Sequence, residues 1–446
     1  MEIYAPLYEA LTQHRAAEQA SLHMPGHKGR ADCLAPLADI LGLDVTELPS
    51  TGSLFDAEGP TLLAEQAAAR AFGSLGAFFS AGGCTLCIQA MLRLAAPSGG
   101  KIVMGRVIHR SAVNAMALLG LTPVWVWNRQ DAGPGLAGRI DARDVADALN
   151  RHPDAKAVYL TSPDYYGVLS DLRAICAQAQ KYHIPVIVDN AHGAHLFFLN
   201  PALHPLSQGA AMCADSAHKT LPVLTGGAFL QVGDARYLPH VRDAMALFGS
   251  TSPSFPILLS LDLCRAWLEG AGTAAYAETA AQAKLLNSLA RERGFLPPEG
   301  PCDPLHLVWN TAHGGVSGKT AAAHLRKRGI EAEYADDAFL ILLLSPFNTP
   351  EDYGRLRRAL QTLPQGEPFM PSCLLPAPPP VAMTPREALF AASERLPVRQ
   401  AAGRVAAQAA CPCPPAIPAV MPGERITAEC AKSLLHSGIL EIQVVK

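Results

Sequence analysis

The chain has 446 residues, of which 49% are hydrophobic and 17% charged, with a formal net charge of −3. That length supports two or three domains around a large buried core, and the composition excludes a disordered chain. The near-neutral charge, with no long basic run, excludes nucleic acid as the main partner, and no uninterrupted apolar stretch of about 18 residues marks a membrane span.

Met1-Glu2-Ile3-Tyr4 opens the chain without a basic segment followed by an apolar one, so no secretory signal is expected. The 11 cysteines are scattered and odd in number. They read as reduced thiols in a cytoplasmic enzyme rather than a disulfide framework. Cys84-x-x-Cys87 and Cys411-Pro-Cys413 each lack a second pair, and no metal site is expected from them.

A helix is predicted over 6–19. Residues 21–30, with His23, His27, Lys28 and Arg30 around a Pro-Gly turn, read either as a solvated basic loop or as an arm carrying polar groups to an active site. Asp44 and Glu47 precede a turn-rich stretch, and an amphipathic helix is predicted over 60–72. An apolar strand then runs into Gly82-Gly83-Cys84-Thr85, with a helix over 88–94. A strand, a glycine turn and a helix start make an anion site, to which the Thr85 hydroxyl adds a donor.

Strands are expected at 101–104, 122–127 and 157–161, with a helix beginning around His109. Ser162-Pro163-Asp164-Tyr165-Tyr166-Gly167 follows the third strand. A helix over 171–181 leads to a strand at 185–189. Its β-branched run ends in Asp189 and continues Asn190-Ala191-His192-Gly193. An apolar run of this kind reads as a buried parallel strand with a carboxylate at its C-terminal end. Thirty residues on, Lys219 stands in Ser216-Ala217-His218-Lys219-Thr220, among small and apolar residues, before a strand at 226–232. A lone amine there suits Schiff-base chemistry with pyridoxal phosphate (PLP), and Asp189 suits the carboxylate that keeps the PLP ring nitrogen protonated. Gly83, His109, Asp164, Asp189 and Lys219 all follow predicted strands, where ligands of open α/β sheets bind.

A helix after Pro256 and a long one over 272–294 come next. Strands at 305–309 and 339–345 flank a helix over 319–328. Residues 366–385 read as a proline-rich linker, and the tail as one helix with a Cys-Pro-rich stretch. The predicted fold is α/β, with a large, mostly parallel central sheet sandwiched by helices and a smaller α+β C-terminal domain. The expected division is an arm at 1–50, a PLP-binding domain at 51–295, a small α+β region at 296–370 and a C-terminal domain at 371–446.

Taken together, these motifs resemble the bacterial-type PLP-dependent ornithine/lysine/arginine decarboxylases. Pro25-Gly26-His27-Lys28, Asp44-Val45-Thr46-Glu47, Thr251-Ser252-Pro253-Ser254, Pro414-Pro415-Ala416-Ile417-Pro418 and Pro422-Gly423-Glu424 extend the likeness over nearly the whole chain. The resemblance implies that the fold is PLP fold type I, that Lys219 carries PLP, that Asp189 pairs with its ring nitrogen and that His109 stacks on its face. It also implies that Gly83, Cys84, Thr85, Ser216 and His218 hold the phosphate and that His192 sits near O3′. Cys84 stands at a usual Ser, Cys87 and Ala416 at usual Gly, Asn190 at a common Glu and Gln408 at a frequent Glu.

The implied reaction is decarboxylation of arginine, lysine or ornithine, with arginine slightly favoured, in a homodimer. His109 and Lys219 are both open as the proton donor to Cα. Asp44, Glu47, Asp164 and Glu333 are candidates for the substrate's cationic end. An aminotransferase or carbon–sulfur lyase is a rival reading. Against it, 305–345 offers only Arg326 and Arg328, in a predicted helix, as a carboxylate clamp. A PLP-binding regulatory protein without turnover is a second rival.

Overall fold

The computed structural model describes residues 4–17, 19–370, 377–411 and 418–446. The Pro414–Pro418 motif and Cys413 therefore fall wholly or mainly outside the described residues, as does part of the predicted linker. The strands, in chain order, are β1 (Gly76–Ser80), β2 (Gly100–Gly105), β3 (Leu121–Val126), β4 (Val158–Thr161), β5 (Val186–Asp189), β6 (Met212–Asp215), β7 (Ala228–Val232), β8 (His306–Asn310), β9 (Tyr334–Ala335), β10 (Phe339–Leu343), β11 (Ser393–Pro397) and β12 (Glu441–Val445). The first seven form a mostly parallel sheet, as expected. The chain divides into two compact units, 1–97 with 186–274, and 98–185 with 275–446.

In the first unit the strand order is β1-β7-β6-β5. β5 and β6 are parallel, with Asp189 opposite Ala214, whereas β7 runs antiparallel to both β6 and β1. All four residues of β5 and of β6 are buried, as strands covered on both faces require. β6 was not expected: Met212-Cys213-Ala214-Asp215 lacks the β-branched run that signals a strand, and burial between neighbours decides it. The helix predicted over 88–94 instead spans Gly83–Ala95. Its first turn holds Gly83, Cys84 and Thr85, which carry weak helix propensity but lie where the chain leaves β1.

In the second unit β4-β2-β3 is parallel, and β8-β10-β9 forms a separate antiparallel sheet. Helix Arg110–Leu119 is capped by the His109 ring, which accepts from the Ser111 N–H, and ends at Gly120 with φ +68°. The tail differs from the expected single helix. It holds helices Pro385–Phe390 and Ala428–His436 plus the β11–β12 pair, packed around Val398, Val420, Ile426, Leu434 and Val444. Glu424 of Pro422-Gly423-Glu424 makes a bidentate pair with Arg106, at 2.6 and 2.8 Å. The Arg106 guanidinium lies over the rings of Trp125 and Trp127, 5.0 and 4.8 Å from their centroids. Among the described residues no helix is long and apolar enough to cross a membrane.

Candidate active site

Parallel pairing of β5 and β6 brings two chain segments to one edge of the first unit. β5 ends in Asp189, buried at 1% exposure, whose Oδ1 accepts from the Ala191 N–H at 3.2 Å. Asn190 N–H bonds the Ala214 carbonyl at 3.0 Å, and Gly193 N–H closes a turn onto the Asn190 carbonyl at 2.8 Å. That turn presents His192. β6 leads through buried Ser216 into the short helix Ala217–Thr220. There the Lys219 Nζ lies 3.2 Å from His192 Nε2. Lys219 as a whole is exposed, while its Nζ contact with His192 is part-buried. His218 faces backbone instead: its Nδ1 lies 3.0 Å from the Gly227 carbonyl.

The start of helix Gly83–Ala95 belongs to the same locality. Ser216 hydrogen-bonds the Cys84 thiol, and Asp189 and Lys219 are close enough to shift its titration. Burial pushes that thiol well above its usual range. Cys87 and Asp189 push the same way, while Ser216 and Lys219 pull it down. Burial likewise takes Cys87 up to about 12. Both are neutral thiols at physiological pH, so Cys84 offers the weaker hydrogen bond of an S–H where a serine would offer O–H. Gly82 gives this helix no side-chain cap, and Thr85 is exposed in the first turn. Gly83 has φ +64°, and its N–H donates to the Gly226 carbonyl at 2.7 Å. Past Gly83, a helix start without a side-chain cap is suited to an anion.

The remaining expected residues have other surroundings. Asp44 Oδ2 lies 3.2 Å from His27 Nε2. Glu47 Oε1 accepts from the Ser53 hydroxyl at 2.9 Å and the Leu54 N–H at 3.0 Å, which makes it a loop organiser. In the second unit, His109 is the helix cap described above, with its Nδ1 also 2.8 Å from the Ser111 hydroxyl. Asp164 is buried. Its Oδ1 accepts from the Tyr166 and Val168 N–H groups, both at 2.9 Å. Its Oδ2 is buried without a hydrogen-bond partner among the described residues. Burial raises the carboxyl to about 6, against the pull of those N–H groups, His306 and Arg139. Exposed Glu333 accepts from the Tyr165 hydroxyl at 2.9 Å. Arg326 pairs with Glu331 on the surface and Arg328 leans on His324, so neither is poised as a carboxylate clamp.

Two buried clusters went unread in the sequence, Arg106 with Glu424, and His204 with Cys213, Asp215 and Asn190. Their members are far apart in the chain or lie on a strand that was not expected, and no local pattern announces them.

Comparison with known proteins gives a consistent picture. Residues 5–292 match the family described as Orn/Lys/Arg decarboxylase, major domain, and residues 372–437 match its C-terminal domain. An arginine decarboxylase of Bacillus subtilis is 30% identical over 95% of this chain and 91% of its own. In fold, lysine decarboxylase A from Pseudomonas aeruginosa superposes with a TM-score of 0.85 at 20% identity, covering all of this chain and 81% of that one. A structure described as SPT with PLP shares the fold more loosely, with a TM-score of 0.53 at 16% identity, over 68% of this chain and 77% of that one.

Proposed function

The chain belongs to the Orn/Lys/Arg decarboxylase family, and on that premise we propose that it is a PLP-dependent carboxy-lyase for arginine, working in the cytoplasm as a homodimer. The observation that carries this reading is the Lys219–His192 contact of 3.2 Å on a strand pair whose other strand ends in buried Asp189. The arginine relative supports the choice among basic amino acids.

The residues fit PLP in charge and donor type. Lys219 would hold the cofactor covalently through Nζ. Asp189, buried at the end of β5, would pair with the ring nitrogen and keep it protonated. The N–H groups of Cys84 and Thr85 at the helix start beside Gly83, with the Thr85 and Ser216 hydroxyls and the Cys84 thiol, would hold the phosphate, and His218 would flank it. When bound, PLP supplies the electron sink that lets a Cα–carboxylate bond break with loss of CO2.

The chain's own part is to orient substrate and manage protons. His192, whose Nε2 lies 3.2 Å from Lys219 Nζ, would orient the amine that reacts. His109 would stack on the cofactor, and it or Lys219 would return a proton to Cα. The carboxylates of Asp44, Asp164 and Glu333 are the candidates for the substrate's cationic end, with Glu47 the least available because Ser53 and Leu54 occupy it.

The test is CO2 release from arginine, lysine and ornithine, with the absorbance of the Lys219-bound cofactor recorded alongside. The wild type should act fastest on arginine, and Lys219→Ala should lose both absorbance and turnover. Keto-acid formation without CO2, or a Lys219→Ala variant that keeps both signals, would overturn the reading.

A further inference from the structure

We propose that His204, Cys213 and Asp215 bind a zinc ion inside the first unit, with the side-chain oxygen of Asn190 as the fourth ligand. His204, Cys213, Asp215 and Asn190 all have 0% exposure. The first three bring one ligand atom each within 4.8 Å of the others. His204 Nε2 lies 3.3 Å from Asp215 Oδ2, and Cys213 Sγ lies 3.8 Å from both His204 Nε2 and Asp215 Oδ1. With zinc bonds of about 2.3 Å to sulfur and about 2.0–2.2 Å to nitrogen and oxygen, tetrahedral edges come to about 3.3–3.6 Å. The His204–Asp215 distance matches such an edge and the two sulfur distances exceed it by a few tenths of an ångström, but they run to different oxygens of Asp215, so the carboxylate must turn to present one; a turned Asn190 amide would set its oxygen 2.6 Å from Asp215 Oδ1, and zinc binding would widen that by about 0.7 Å. The mixed nitrogen, oxygen and sulfur set selects zinc over the hard cations magnesium and calcium.

Asn190 supplies an independent observation. Its Nδ2 donates to Asp215 Oδ1 at 2.6 Å, while its own Oδ1 is buried without a hydrogen-bond partner among the described residues. Turning the amide by 180° exchanges the two atoms and points the stranded oxygen at the cluster. There it would repel a bare carboxylate but ligate a cation. Thiolate and carboxylate together balance the charge of the ion, so the occupied site is neutral and cheap to bury. Binding requires the Cys213 S–H proton to leave to solvent. The rings of Phe72 and Phe197 lie 6.2 and 5.7 Å from that of His204, which makes this a closed, structural site and no place for substrate.

Its position gives it a purpose. Asn190 directly follows Asp189 at the end of β5, and Asp215 directly precedes Ser216 at the end of β6. One ion would lock together the two strand ends from which Asp189 and Lys219 emerge. The proposal does not rest on the decarboxylase reading.

The test uses full-length protein purified from cells supplied with zinc chloride and kept from chelators. Elemental analysis should find close to one zinc per chain, as a structural site retains its metal through purification. X-ray absorption at the zinc edge should show a single sulfur neighbour among nitrogen and oxygen. Folded Cys213→Ala and His204→Gln variants should lose the zinc; should neither fold, the wild-type absorption spectrum still decides. Wild-type protein without zinc, a shell with no sulfur or with more than one, or folded variants that keep the metal would each overturn the proposal. Cofactor loading, read separately from the Lys219-bound absorbance, keeps this result distinct from the fate of the proposed function.

Discussion

Replacing Glu424 by alanine tests the clamp between the tail and β2. Arg106 and Glu424 are 1% and 2% exposed, and their two contacts of 2.6 and 2.8 Å satisfy both guanidinium amino groups. Glu424 also accepts from the Met421 N–H at 2.8 Å. Removing it leaves a buried cation with only the faces of Trp125 and Trp127, worth about 0.5–2 kcal/mol each, to offset its lost hydration. Breaking one side of a buried pair costs about 3–5 kcal/mol. At about 2–4 °C per kcal/mol for a unit of this size, the unfolding midpoint should fall by roughly 6–20 °C. The assay is thermal unfolding of Glu424→Ala, Arg106→Met and the double variant, analysed as a cycle. The double variant should recover most of the loss, because two neutral side chains no longer strand a charge. A single-variant loss under about 1 kcal/mol, or a double variant worse than either single, would refute the argument.

Asp164 should make stability depend on pH. Its folded value of about 6 lies above the ordinary 3.8, so the folded state binds the proton more tightly. The stabilisation is therefore complete below about pH 4 and lost as pH rises to about 6, a fall of roughly 3 kcal/mol at about 1.4 kcal/mol per unit. Denaturant midpoints of Asp164→Asn measured across that window should be flatter than wild type, and parallel curves would show that the carboxyl titrates normally. Gly83→Ala forces a Cβ into φ +64°, although the nearest atom, the Gly226 carbonyl oxygen, is 3.9 Å away. The strain of about 1–2 kcal/mol is conformational rather than steric, and the folded-to-unfolded ratio should fall about 5–30-fold. Chemical denaturation of the Gly83→Ala variant measures it, and an unchanged midpoint would show that the turn accepts a Cβ without strain.

Local pattern carried much of the reading. The β-branched run before Asp189 and the lysine in its small-residue segment are visible without coordinates, and β5 is buried throughout as that pattern implies. Where the pattern is compositionally bland it fails. Met212–Asp215 has no strand signature, and Gly83-Cys84-Thr85 looks like a turn though it forms the first turn of a helix. Helix propensity spans under 1 kcal/mol per ordinary residue, so the packing of a neighbouring strand overrides it. The long-range clusters were beyond reach for a different reason. Arg106 and Glu424 are 318 positions apart, and only folding turns two charges that would sit in water into a buried pair.

By itself the sequence determined the alternation of strand and helix and set a lysine in a small-residue segment thirty residues after a carboxylate at a strand end, because apolar periodicity and local composition are written in neighbouring residues. Only the tertiary structure decided which buried polar groups share a space: His204 against Cys213 and Asp215, Asn190 across from them, Arg106 between two tryptophans. Burial is a property of the whole packed chain, and it is burial that turns an ordinary histidine, thiol or carboxylate into a member of a closed polar cluster, a clamp or a pH-sensitive group.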